Sequence, residues 1–406
     1  MSRIKVKYFG PVKEGLSENN GWIDIRKVTV FIGNQGSGKS TVAKLISTLS
    51  WIEKVLTRGD FNEKEFTAPN FRNKYCGYHR ITGYFQKDKT EVYYEGESYK
   101  FSYTTKGEFL IEKIQNGLSV YPLPQIMYVP AERNFIGMVN KPDLIKQLPD
   151  GLLTFLTEYD NSKKKIKGNF NLPINNAMLE YNKQNDVVSV KGKGYKLKLA
   201  DASSGFHSLV PLYLVSSYLS QSVKEQANNS NKMSSDETKR FEEGVKSIWE
   251  NTSFTDAQRR AALSVLSATF NKSAFINIVE EPEQNLFPSS QWEIMKSLLA
   301  INNSLAANKL VITTHSPYLV NGFTIAVKAG ILIDKVQNKE ELNKVYPGDS
   351  AIYPDDISIY ELDENEGSVK RLENCNGLPS DENFLNNLLE ENNNIFANLL
   401  DIQQKS

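Results

Sequence analysis

Apolar positions along this chain switch repeatedly between a period of two and a period near 3.6. Residues 2–9 and 22–32 alternate as two strands do, around a polar loop over 10–21. From Lys39 the period lengthens to that of a helix and holds to about Arg58. Residues 59–80 are polar and aromatic with no clear period. Alternation returns over 81–114 in short runs, Gly83-Tyr84-Phe85, then 91–94, 99–103 and 109–111, separated by turn signals such as Glu95-Gly96-Glu97. That pattern predicts an antiparallel meander. A compact apolar run, 125–129, then meets Pro130-Ala131-Glu132-Arg133 and predicts a buried strand ending at a functional edge.

Residues 142–160 carry a helical stripe, and Lys163-Lys164-Lys165-Ile166-Lys167 follows as a loop. Residues 178–200 predict two strands around Lys191-Gly192-Lys193-Gly194, and Asp201-Ala202-Ser203-Ser204-Gly205-Phe206-His207-Ser208 opens an apolar helix over 209–219. The Ser-, Asn-, Lys- and Glu-rich stretch 221–255 reads as an inserted, partly mobile, partly helical segment. It has no sustained heptads, so it builds no long coiled-coil arm. A helix near 256–269 precedes the strongest apolar strand, 274–279, which runs into Glu280-Glu281-Pro282-Glu283. A helix over 289–305 leads to a strand over 310–314, ending in His315-Ser316-Pro317. The tail alternates at 357–362 and 368–372 and closes with short helices rich in Leu and Asn.

Composition narrows the class. The 406 residues are 40% hydrophobic and 24% charged, ordinary for a globular protein with a real core. No apolar run approaches the roughly 20 residues that span a bilayer, and the first residues alternate rather than forming a signal core. The expectation is a cytoplasmic protein without a membrane partner. Two cysteines, Cys76 and Cys375, give neither a disulfide framework nor a zinc cluster. Net charge is zero but uneven: residues 1–200 hold 31 Lys and Arg against 20 Asp and Glu, and residues 201–406 hold 17 against 28. Such asymmetry suits a nucleic-acid or partner surface on the first half, or two halves that face each other.

The chemistry centres on Gly33-Asn34-Gln35-Gly36-Ser37-Gly38-Lys39-Ser40-Thr41. A strand delivers it and a helix leaves it, the context a phosphate-binding loop requires. The glycines let the backbone curl until its N–H groups point at one anion, and the helix start adds a positive dipole end. Lys39 then reaches the β- and γ-phosphates, and the Ser40 hydroxyl ligates Mg²⁺. Glu280 and Glu281 follow four apolar positions, so one carboxylate can hold Mg²⁺ and the next can orient an attacking water. His315 ends the next strand, where a neutral imidazole can donate to the γ-phosphate. In parallel α/β sheets the ligand lies beyond the carboxyl ends of the strands, so all three sets converge on one nucleotide. Ser203-Ser204-Gly205 reads locally either as a second anion site at a helix start or as a plain N-cap.

The order of these motifs resembles the ABC-type ATPase heads of the SMC and OLD-like AAA families: a P-loop, Ser-Ser-Gly-Phe before a helix, apolar-Glu-Glu-Pro-Glu, then Thr-Thr-His-Ser-Pro. Phe9-Gly10-Pro11 and Tyr128-Val129-Pro130-Ala131-Glu132-Arg133 are similar to the compact bacterial members found in antiphage systems, among them the ATPase subunits of PARIS and Septu. The resemblance implies an α/β fold, an ABC-type head with a mixed central sheet, an antiparallel β meander and a helical subdomain. Its lobes would be 1–141, 142–273 and 274–406. It implies two heads closing face to face around two ATP and Mg²⁺. Lys39, Ser40, Glu280, Glu281 and His315 of one copy would then meet Ser203, Ser204 and Gly205 of the other. It further implies an oligomeric sensor or scaffold that controls a separate effector, a nuclease or toxin, on a phage trigger protein. The rival readings are a DNA-repair or DNA-maintenance ATPase that clamps nucleic acid, and a transporter nucleotide-binding subunit. Three departures from the family stand out. Glu280 takes the place of an Asp. The signature is Ser-Ser-Gly-Phe-His rather than Leu-Ser-Gly-Gly-Gln, which implies slow turnover. No Q-loop glutamine follows 126–129, so Glu132 or Arg133 takes that place. Asp355-Asp356 and Asp363-Glu364 read as solvated turns rather than nuclease carboxylates, and Tyr8, Phe9 and Trp22 are candidates to stack on adenine.

Overall fold

The computed structural model describes residues 2–58, 60–114, 121–139, 148–228, 235–250, 259, 263 and 272–405. The chain begins with strands β1 (Ser2–Lys7), β2 (Gly15–Leu16), β3 (Ile23–Ile25) and β4 (Val28–Gly33), and helix α1 (Lys39–Arg58) follows. Next come β5 (Glu91–Glu95), β6 (Tyr99–Tyr103), β7 (Phe109–Lys113), β8 (Pro124–Val129) and α2 (Asp150–Lys163). Four short strands, β9 (Asn169–Asn171), β10 (Met178–Asn182), β11 (Val187–Gly192) and β12 (Tyr195–Lys198), lead to α3 (Ser204–Asn228) and α4 (Ser235–Glu250). The rest is β13 (Ala274–Glu280), α5 (Pro288–Asn303), β14 (Lys309–Thr314), α6 (Pro317–Ile333), β15 (Ile357–Leu362), β16 (Ser368–Arg371) and α7 (Phe384–Lys405).

A seven-stranded mixed sheet runs β2-β16-β15-β4-β14-β13-β8. The five strands from β15 to the β8 edge, β15, β4, β14, β13 and β8, are mutually parallel. Every residue of β4 and β13 is buried, as expected of strands covered on both faces. Alternate side chains feed two cores. Val28, Val30, Ile32, Val279 and Ile312 pack with α2, α3, α5 and α6. Phe31, Ile276, Ile278, Val311 and Tyr360 pack with α1 and with an antiparallel sheet, β3-β1-β5-β6-β7. A third sheet, β12-β11-β10-β9, lies on the first side. The mixed sheet, the meander and the helical layer expected of the fold class are all present.

Several local expectations are corrected. The single strand over 22–32 is two strands in two different sheets, split at Arg26-Lys27, where Arg26 N–H donates to Thr29 Oγ1 at 2.9 Å. Ile23-Asp24-Ile25 is half-buried, whereas 28–32 is wholly buried, so the two halves suit different environments. Thr82–Tyr84 is a short helical turn rather than a strand. Residues 178–200 hold three strands, because the turn at Lys193-Gly194 separates β11 from β12. Helix α3 reaches from Ser204 to Asn228 and carries Pro211 inside it. Lys163 is not in a solvated loop: it ends α2, buried, with Asp160 at 2.7 Å and Asp186 at 2.9 Å. The tail closes with one long helix, α7. The helices expected at 142–160 and 256–269 fall partly, and almost wholly, outside the described residues.

Candidate functional site

The parallel register aligns the ends of five strands. Thr314 pairs with Ile32, Glu280 with Thr313, Leu362 with Gly33, and Val279 with Val129. The segments leaving these ends are therefore neighbours: the glycine loop after β4, Glu280-Glu281 at the end of β13, His315 after β14, Pro130-Ala131 after β8, and Asp363-Glu364 after β15.

The glycine loop is built for close approach. Gly33 has φ +139°, and a Cβ there would stand 2.3 Å from the Leu362 carbonyl oxygen. Gly38 has φ +103°, and a Cβ would stand 2.8 Å from Val12. Neither position accepts a side chain without displacing β15 or the loop before β2. Asn34 bridges the loop, since its Oδ1 accepts from Gln35 N–H at 2.8 Å and its Nδ2 donates to Glu364 Oε1 at 2.9 Å. Ser37 and Thr41 are buried, while Ser40 is half-buried in the first turn of α1. Lys39 Nζ donates to the carbonyls of Gly33 and Asn34 at 2.9 and 2.6 Å. Burial lowers its pKa to about 8, against the opposing pull of Glu281, Glu283, Glu364 and Glu280. Lys39 is thus a desolvated cation facing four carboxylates, and its ammonium is held by carbonyls that an incoming oxyanion can replace.

Opposite it stand the carboxylates of β13. Glu280 is 4% exposed. Its Oε2 accepts from Ala131 N–H at 3.1 Å, and its Oε1 has no partner among the described residues. The buried phenol of Tyr128 is pushed up by burial and then by the Glu280 charge beside it. Thr313 Oγ1, Glu283 Oε2 and Gln284 Oε1 are buried without partners as well. Such a set of orphaned oxygens in one corner suits a cation. Among the described residues no three His, Cys, Asp or Glu gather as a metal centre. One carboxylate and one hydroxyl are a donor set that suits a Mg²⁺ whose shell phosphate and water complete.

Glu281 has φ +43°, the left-handed region, which costs a side-chain-bearing residue about 1–2 kcal/mol. Three hydrogen bonds hold it there. Its N–H donates to Thr313 O at 2.9 Å, and its carbonyl accepts from Arg133 Nη2 at 2.6 Å and from Gln284 N–H at 3.0 Å. The carboxylate then meets His315, with Oε1 3.3 Å from Nε2, and that contact holds the Glu281 carboxyl below the usual range despite burial. His315 is seated in turn by Glu283, whose Oε1 accepts from His315 N–H at 2.8 Å and from Thr314 Oγ1 at 2.7 Å. Burial pushes the Glu283 carboxyl above its ordinary value.

Arg133 is wholly buried, and its planar fork serves four carbonyls: Pro130 and Glu280 from Nη1, Glu281 from Nη2, and Ser208 from Nε. It joins the end of β13 to the first turns of α3. Glu132, its neighbour, is exposed. Of the two residues expected in the Q-loop place, Arg133 is thus a backbone clamp facing inward, and Glu132 faces out.

Ser203 and Ser204 are exposed at the start of α3, where Ser203 O accepts from His207 N–H at 3.1 Å. Neither hydroxyl is engaged by the described residues of its own chain. Gly205 lies against the turn after Glu281, since a Cβ there would stand 3.0 Å from Asn285 O, and Asn285 Nδ2 donates to Ser208 Oγ at 2.9 Å. The P-loop, Glu280, Glu281 and His315 come together within the chain, whereas no contact joins Ser203, Ser204 or Gly205 to the P-loop among the described residues.

Sequence reasoning missed Glu364, read as solvated but bonded to Asn34, and gave no role to Glu283, which is half-buried and accepts from the His315 backbone. The position of Glu364, just past an apolar strand like the other site residues, was the available signal. Phe9, a stacking candidate, is fully buried against Tyr84 and Phe85 and offers no face to a base. Cys76 is buried and Cys375 exposed, with no disulfide between them. Among the described residues no helix is long and apolar enough to cross a membrane.

The sequence matches no family model and no curated protein. Among solved structures the chain is similar to the SMC head domain from Thermotoga maritima, at 12% identity and a TM-score of 0.38, over 92% of this chain and 98% of that one. It is also similar to an Smc head with an extended coiled coil, bound to the C-terminal domain of ScpA derived from Pyrococcus furiosus, at 11% identity and a TM-score of 0.36, over 92% and 96%. A third similar structure is a dimeric ATP-binding cassette in a post-hydrolysis state bound to ADP and Pi, at 12% identity and a TM-score of 0.27, over 92% and 100%. These superpositions are loose, and the fold and site described above stand on the chain's own geometry.

Proposed function

We propose that this chain is an ABC-type ATPase head that binds ATP with Mg²⁺, hydrolyses it slowly, and closes face to face with a second copy around the nucleotide. The observation that carries this reading is the parallel register. It sets Lys39 of the glycine loop, Glu280-Glu281 and His315 on adjacent strand ends, with Lys39 and Glu281 in electrostatic reach of each other.

In this reading the N–H groups of Gly36, Ser37, Gly38 and Lys39 cradle the phosphates, flanked by Gly33, Asn34 and Thr41. Lys39 exchanges its two backbone carbonyls for phosphate oxygens. Ser40 and the partnerless oxygen of Glu280 hold Mg²⁺, which neutralises charge on the β- and γ-oxygens when bound. Glu281 orients the attacking water and accepts its proton, while His315 fixes the carboxylate and senses the γ-phosphate. The uncommitted hydroxyls of Ser203 and Ser204, with the helix start at Gly205, supply donors to the γ-phosphate of the opposite copy. The three lobes, 1–141, 142–273 and 274–406, then belong to one head. Closure and reopening make the homo-oligomer a switch, and the motif order supports a sensor or scaffold role over a separate nuclease or toxin effector in antiphage defence, answering a phage trigger protein.

Titrating ATP into the protein tests the reading. Binding with Mg²⁺ is expected, Lys39→Ala should weaken it at least tenfold, and Glu281→Gln should retain it while abolishing hydrolysis. Equal binding by Lys39→Ala would overturn the assignment. The excess of Lys and Arg in residues 1–200 favours the second reading, a head that clamps nucleic acid. DNA affinity falling steeply with salt would support that reading instead.

A further inference from the structure

Helix α7 concentrates exposed apolar surface. Its first turn is fastened to the body: Phe384 N–H donates to Glu361 Oε2 at 2.8 Å, Asn386 Nδ2 donates to Asn321 Oδ1 at 3.3 Å, and Leu385 is buried in the core. Beyond that turn Leu388, Ile395, Phe396, Leu399 and Leu400 are 42%, 51%, 63%, 58% and 43% exposed. Leu385 is turned into the chain's own core, but beyond it Asn392 and Leu399 stand seven residues apart, and Leu388, Ile395 and Ile402 repeat every seven around them. These are the a and d positions of a heptad seam, with one Asn at a central a position.

From this seam we infer that α7 pairs, parallel and in register, with α7 of a second copy of this chain. The choice of occupant follows from Asn392. In a parallel in-register pair the a positions face each other, so Asn392 meets its own counterpart and the two amides satisfy one another. In an antiparallel pair a faces d, and the amide would be buried against Ile395 without a partner, at a cost no apolar contact returns. Flanking charges agree. The same register sets Glu391 beside Phe396 and Asn398 beside Gln403 of the other helix, so no like charges meet, while Glu390 and Asp401 point outward. The exposed side chains present on the order of 500 Å² per copy, so the pair covers about 1,000 Å², the lower bound for a specific interface. Such a pair associates weakly alone and gains from any second contact that tethers the same two copies. The face-to-face heads would supply that contact, and only this gain rests on the proposed function.

Cysteine crosslinking tests the pairing. In a Cys375→Ser background, which removes the exposed native thiol, Asn392→Cys is expected to form a disulfide-linked dimer under mild oxidation with or without ATP. Asn393→Cys, one position around the helix, should form several-fold less. Adding Ile395→Asp should abolish the Asn392→Cys product while leaving ATP binding unchanged, which shows that the head is folded. Adding Lys39→Ala instead should leave the product unchanged, so failure of the nucleotide reading would not disturb it. No product at position 392, equal product at 393, or a product that survives Ile395→Asp would each overturn the pairing.

Discussion

Arg133→Lys separates a structural arginine from one that positions the chemistry. Lysine keeps the charge but gathers its donors on one nitrogen, which cannot span carbonyls on both β13 and α3 as the planar guanidinium does. Charge-assisted hydrogen bonds contribute about 1.5–3 kcal/mol each. They do not add within one network, and returning a buried cation to water recovers several kcal/mol. A net destabilisation of about 2–3 kcal/mol is the reasonable expectation, survivable for a chain of this size. The catalytic consequence is more specific. Glu281 occupies a backbone region that disfavours it by about 1–2 kcal/mol, and the Arg133 bond at 2.6 Å is the shortest of the three, and the one from a side chain, that keep it there. Losing that bond should let Glu281 relax away from His315 and reduce the competent population roughly ten- to a hundredfold. The P-loop is untouched, so ATP affinity should stay within about twofold. Steady-state hydrolysis across an ATP titration, with urea unfolding in parallel, reads both quantities. A folded Arg133→Lys protein with unchanged kcat, or one whose affinity falls as far as its kcat, would refute the reasoning.

Two further outcomes follow from the same geometry. Glu281→Gly should stabilise the fold by about 1 kcal/mol, because glycine occupies φ +43° without penalty, while turnover disappears; urea unfolding that shows a loss would contradict the strain at this residue. The pH dependence of ATP binding should report Lys39. Its pKa of about 8 lies below the ordinary 10.5, so the cation that attracts phosphate is lost as pH rises through 8. Affinity should therefore be flat below that point and fall up to tenfold per pH unit above it, with Lys39→Arg removing the break; titration calorimetry at several pH values checks this.

The site was legible in the sequence to the extent that each residue follows an apolar strand. Gly33, Glu280 and His315 all sit at that boundary, and one rule about strand ends gathers them. Contacts carried by backbone groups were not legible. Arg133 acts on four carbonyls, and carbonyls leave no mark on residue identity, so its inward aim could not be distinguished from that of Glu132. Glu364 reads as solvated because acidic turns usually are, and Glu283 carries no role of its own; the folded chain puts Glu364 on the P-loop and Glu283 against the backbone of His315. Fold errors have a similar origin. Apolar positions fall at 23 and 25 before Arg26-Lys27 and at 28, 30 and 32 after it, and that slip of phase was the one local sign that β3 and β4 join different sheets. The apolar stripe over 209–219 marks only the middle of α3, which runs from Ser204 to Asn228. The tail reads as short helices rich in Leu and Asn, whereas the folded chain makes one helix of them, α7.

The central claim is that the site is completed by Ser203, Ser204 and Gly205 of a second copy. The most direct measurement is the solution mass of a Glu281→Gln, Ile395→Asp double variant with and without Mg-ATP. The first change retains bound nucleotide, and the second removes association through α7. A monomer that becomes a dimer only with Mg-ATP, and fails to do so when Ser204→Arg is added, is the predicted result. A variant that binds ATP yet keeps the same mass in both conditions would contradict the account.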